Sequence, residues 1–80
     1  MSFSAHRRDA LDQTMPINHR ASHARSCAVH VAQKYKVKRS EIIVMVKKKC
    51  SVDLMTANTD EQITSAVEVL NYLRIHGLDA

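Results

Sequence analysis

The chain is poor in the residues that punctuate or staple a fold. It has one glycine, one proline, no tryptophan and only 4% aromatic residues, namely Phe3, Tyr35 and Tyr72. A single glycine excludes a glycine-rich phosphate loop. Two cysteines, Cys27 and Cys50, are too few for a disulfide scaffold. The longest apolar run is Ile42-Ile43-Val44-Met45-Val46, far short of the ~18 residues of a membrane span. Met1 to Arg8 has no apolar core after its charges, which predicts no signal peptide. No nucleophile, base and acid stand in a recognisable catalytic turn, so no enzyme and no cofactor are expected. With few aromatics, the core must be built from Val, Ile, Leu, Met and Ala. A chain of 80 residues forms one small domain of modest stability.

What is present is charge, unevenly placed. The net +4 is a partition. Residues 1–19 are neutral. Residues 20–50 carry nine Lys and Arg against Glu41 alone, a net of +8, and residues 51–80 carry a net of −4. Such asymmetry points to a polyanionic partner for the middle segment. The same lysines could also serve as a solvated face that keeps the protein soluble.

Hydrophobic spacing predicts an α+β domain with the order helix, two-stranded β-hairpin, helix, and a possible short helix in front. Residues 1–17 read as an N-terminal arm or short helix capped by Ser4, and residues 18–80 as one globular domain. Pro16 marks the boundary. Over 18–35, Ala21, Ala24, Ala28, Val31, Ala32 and Tyr35 form one helical stripe, with Asn18 as N-cap. Residues 41–46 are rich in β-branched side chains and favour a strand. Residues 50–55 alternate, and pairing Val46 with Cys50 places Ile42, Val44, Val46, Cys50, Val52 and Leu54 on one face. The hairpin turn would be Lys47-Lys48-Lys49. Thr59-Asp60-Glu61-Gln62 has the form of a capping box, and Ile63, Ala66, Val67, Leu70 and Leu73 form the stripe of a last helix. Gly77 would close that helix in the left-handed conformation.

The candidate nucleic-acid contacts are Lys34, Lys36, Lys38, Arg39, Lys47, Lys48 and Lys49, placed at the two ends of the expected strand. The scarcity of aromatics argues against base stacking on single-stranded RNA, and contact with duplex phosphates fits better. The opposite face of the expected sheet would carry Ile43, Met45 and Met55. That face suits a homodimer contact or a protein partner, so an adaptor or inhibitor module is the rival reading. His19, His23, Cys27 and His30 fall on one side of the 18–35 helix and form a weak candidate metal set. Otherwise they read as an exposed polar face rich in histidine, a residue type whose charge changes near neutrality. The expected setting is cytoplasmic, with no membrane contact.

Two resemblances accompany these readings. Val31 to Ile42 resembles the helix-turn-helix of bacterial and phage regulators. Val31, Ala32, Tyr35, Val37, Ile42 and Met45 fall on that motif's apolar positions, and Lys36 stands where the family usually has glycine. The resemblance covers about 20 of the 80 residues. It implies an all-α alternative, with residues 39–49 as a recognition helix and Lys38, Arg39, Ser40 and Lys47 as DNA contacts. Separately, His23-Ala24-Arg25 is similar to the phosphocarrier HPr family, in which a His-Ala-Arg-Pro sequence opens a helix. That similarity implies a phosphoryl-accepting His23.

Overall fold

The computed structural model describes residues 1–79. It contains four helices: α1 (Phe3–Ala10), α2 (Ile17–Tyr35), α3 (Arg39–Cys50) and α4 (Asp60–His76). Among the described residues there is no strand. The expected α+β architecture is therefore corrected to an all-α, four-helix globule.

The reason lies in residues 39–50. Intrinsic β preference is weak and yields to burial. As a helix, the segment puts Ile42 and Val46, four positions apart, fully into the core, with Ile43, Met45 and Cys50 partly buried beside it. Val44, which the hairpin would bury, is 51% exposed. Lys47, Lys48 and Lys49 fall in the last helical turn, where cations suit the negative end of the helix dipole. As a hairpin turn, one of them would have needed the left-handed conformation. Val52 and Leu54 are buried as expected, but from a loop that turns at Asp53 rather than from a strand.

The helix ends show how the sequence sets its own boundaries. Ser2, not Ser4, caps α1, accepting from the Ala5 amide at 3.2 Å. In α2 the N-cap is Pro16 rather than Asn18. Thr59 caps α4 by accepting from the Gln62 amide at 3.2 Å, and Gln62 Oε1 accepts from the Asn58 amide at 2.9 Å. Gly77 has φ +93° with ψ 165°, an extended conformation open almost solely to glycine, instead of the expected left-handed cap.

The alanine stripe of α2 is buried as its spacing requires, and it lets α1 and α4 approach closely. Arg20 meets Asp60 at one end of the molecule, and Tyr35 meets Leu73 at the other, so α2 and α4 run in the same direction. Ile63, Ala66, Val67, Leu70 and Leu73 of α4 complete the core. Among the described residues no helix is long and apolar enough to cross a membrane.

Candidate nucleic-acid interface

The end of α2, the turn after it and the whole of α3 carry the basic residues. α2 closes at Lys36, which adopts the left-handed conformation at φ 57°, ψ 43°. The Val37 amide donates to Ala32 O at 3.0 Å and the Lys36 amide to Gln33 O at 3.3 Å. These are the paired bonds of a Schellman motif, which glycine usually forms because a Cβ strains the left-handed residue. Lys36 thus holds the left-handed position that glycine usually fills at the end of a helix. The next helix starts three residues later, so α3 occupies the stretch that the resemblance assigns to a recognition helix.

Lys34, Lys36, Lys38, Arg39, Lys47, Lys48 and Lys49 are all exposed. They are not equivalent. Lys34 Nζ donates to the Arg74 carbonyl at 2.6 Å and lies 5.4 Å from the Tyr35 ring. Lys49 lies 5.9 Å from the Tyr72 ring. Lys36, Lys38, Arg39, Lys47 and Lys48 make no side-chain hydrogen bond or ion pair within the described fold, and are available to an external anion. Because residues 39–50 are helical, the two basic groups stand about 14 Å apart at helical rise, rather than at the wider strand spacing. Lys38 is the N-cap of α3 but supplies no side-chain cap bond; the Glu41 amide donates to the Lys38 carbonyl at 3.0 Å, and Glu41 is the acidic residue of that first turn.

The outward side of α3 carries Ser40, Glu41, Val44, Lys47 and Lys48. A shallow open depression there is lined by Ser40, Glu41, Val44, Met45 and Lys48. Asp60, at the start of α4, bonds Arg20, some 22 Å along α2 from Tyr35, and Glu61 follows it in the first turn of α4. The acidic end of the last helix is thus remote from the end of α2 that leads into the basic turn.

The residues expected to form an apolar partner face, Ile43, Met45 and Met55, now lie on α3 and in the loop after it rather than on a sheet. Ile43 and Met45 pack partly against the core, while Met55 is 52% exposed in the loop after α3. The exposed apolar group on α3 is Val44, which the hairpin register placed inside.

The histidine set is rearranged too. His19 is exposed, and Cys27 is fully buried under α1, its Sγ 4.0 Å from the Phe3 carbonyl. Burial pushes the Cys27 thiol up to about 12, against a smaller pull from Arg7 and Arg74. No three His, Cys, Asp or Glu side chains among the described residues are arranged to hold a metal ion. Instead His23 and His30 meet His6 from α1, a partner that the spacing along one helix could not reveal. His23 lies in the second turn of α2, not at the opening of a helix as the phosphocarrier similarity would have it.

Comparison of the chain with protein-family models, curated proteins and solved structures finds no match.

Proposed function

We propose that this chain is a small, non-enzymatic, cytoplasmic nucleic-acid-binding accessory or regulatory protein that engages duplex phosphates through its basic segment. The observation that carries the reading is the set of five exposed cations, Lys36, Lys38, Arg39, Lys47 and Lys48, bracketing the outward side of α3 and lacking internal partners. The cations would neutralise phosphates and release counterions, while Ser40 and Val44 would face the bases. A valine there would favour a thymine methyl over a hydrogen-bonding base edge. Assembly as a homodimer would double the cationic surface and set the spacing of two half-sites.

The test is fluorescence anisotropy of a labelled generic DNA duplex at about 50 and 200 mM salt. Five phosphate contacts correspond to a roughly 500-fold loss of affinity across that range. Lys47→Glu with Lys48→Glu removes two of the five contacts and is expected to flatten the slope of log affinity against log salt from about −4.5 to about −2.7. Absence of binding at low salt overturns the reading.

A second reading, a protein–protein adaptor or inhibitor, is favoured by the exposed Val44 in its shallow depression. A complex insensitive to salt but broken by Val44→Lys would select it.

A further inference from the structure

α1 is short, and contacts at both ends and along its middle hold it against the rest of the fold. At its C-terminal end, Arg20 Nε donates to the Ala10 carbonyl at 2.8 Å. At its N-terminal end, Phe3 is buried with the Arg74 guanidinium 4.6 Å from its ring centre. Between them, His6 inserts between His23 and His30, which lie two turns apart on α2. The His6 and His23 rings are 5.2 Å apart, and the His6 and His30 rings 5.3 Å. His6 Nδ1 and His23 Nδ1 are hydrogen-bonded at 2.9 Å. Beneath the helix lies Cys27, with no exposed surface.

We propose that α1 is a lid over Cys27, latched by the His6–His23–His30 cluster and released by acid.

The latch follows from proton counting. A bond between two Nδ1 atoms needs one proton, so one ring donates and the other accepts. A second proton on that contact leaves two N–H donors facing each other with no acceptor between them. Protonated His30 adds a further positive charge beside His6. The other charged groups facing His6 do little to offset this. Asp9 is the anion of the cluster, but its Oδ1 is engaged by Arg8 at 3.2 Å and its Oδ2 lies 3.9 Å from His23 Nε2. The N-terminal amine also lies on this side and is positive. From α4, Arg74 brings another positive charge to Phe3.

The electrostatics agree in sign. Burial, then His23 and His30, then the N-terminal amine hold His6 below its ordinary value of 6.5, with Asp9 opposing. A released α1 therefore takes up protons more readily than a docked one. Docking is fully supported above pH 6.5 and is lost as the pH falls below it. The hinge is the segment 11–16, which turns at Asp12 and Thr14 and leads into Pro16.

Cys27 reports the state of the lid. In a Cys50→Ser background, labelling with a dipyridyl disulfide, which reacts with thiols in acid, is measured at pH 7.5 and 5.0 and normalised to glutathione at each pH. Helix content is followed in parallel by circular dichroism. The expected result is at least a tenfold rise in the normalised rate at pH 5.0, with most of the helical signal kept. In His6→Gln the ratio of the two rates falls toward one, whatever its absolute rates, and in His19→Gln it persists. A ratio near one in the Cys50→Ser parent overturns the proposal. So does an unchanged ratio in His6→Gln, or loss of the whole helical signal together with labelling.

Discussion

Arg20 joins three helices through its bond to Asp60: its Nη2 donates to Asp60 Oδ1 at 2.5 Å while its Nε donates to the Ala10 carbonyl. The arginine side chain is only 5% exposed, whereas that of Asp60 is 51% exposed. The two residues are therefore expected to respond unequally. Removing the buried partner with Arg20→Met leaves the Ala10 carbonyl without its donor and should cost about 2–3 kcal/mol. Asp60→Asn keeps the guanidinium bonded to Ala10 and loses a solvent-screened pair, so about 1 kcal/mol is expected. Urea unfolding of both variants checks the order.

Ile42 and Val44 separate the helix from the hairpin. In the helix Ile42 is fully buried and Val44 is 51% exposed, while the hairpin would bury both. Ile42→Ala should cost roughly 2–4 kcal/mol, a large share of the stability of so small a domain. Val44→Ala should change stability by no more than about 0.5 kcal/mol. Comparable losses at both positions in urea unfolding would contradict the helix.

Lys36 couples stability to the proposed binding. Its left-handed backbone is strained for a residue with a Cβ. Lys36→Gly should raise stability by about 0.5–1 kcal/mol, measured by thermal unfolding. The same change removes one cation, so the slope of log affinity against log salt for a DNA duplex should flatten by about 0.9.

Asp12 gives a prediction about acid. Its carboxylate accepts from the Thr14 hydroxyl at 2.6 Å and the Thr14 amide at 2.9 Å, and these bonds hold it below its ordinary value of 3.8. The ionised form is favoured in the fold, so its contribution is present above pH 3.8 and lost as the pH falls through the lowered value. Asp12→Ala should be less stable than the parent at pH 7, and the gap should close by pH 2. Denaturant midpoints at the two pH values measure it.

Cys27 and Cys50 should differ in alkylation. The Cys27 thiol, pushed up to about 12 by burial, holds almost no thiolate at pH 8 and is covered by α1. Cys50 is partly buried and donates to the Val46 carbonyl at 3.3 Å. Iodoacetamide at pH 8 should label Cys50 first, as read by peptide mass mapping.

Much of this was legible in the linear order of residues. The alanine stripe of α2, the Thr59 cap and apolar stripe of α4, and the +8 middle segment depend on neighbours within one helix or on composition, and short-range rules suffice for them. The spacing also marks Ile42, Val46, Val52 and Leu54 as core, together with Val44, which the structure exposes. It does not mark their secondary structure, because β-branched residues can satisfy either a strand or a buried helical face. Only packing chose between them. Placing Ile42 and Val46 four apart against α2 and α4 buries both, and leaves the three lysines at a helix end where their charge is favourable. Tertiary structure likewise decided what the histidines and lysines face. His6 lies seventeen residues before His23, and only the docking of α1 brings the rings together. Lys34 is drawn to the Arg74 carbonyl forty residues away, which separates it from the available cations. Sequence determined which residues are charged, apolar or able to cap; the long-range contacts of α1 and α4 decided which of them are still open to a partner.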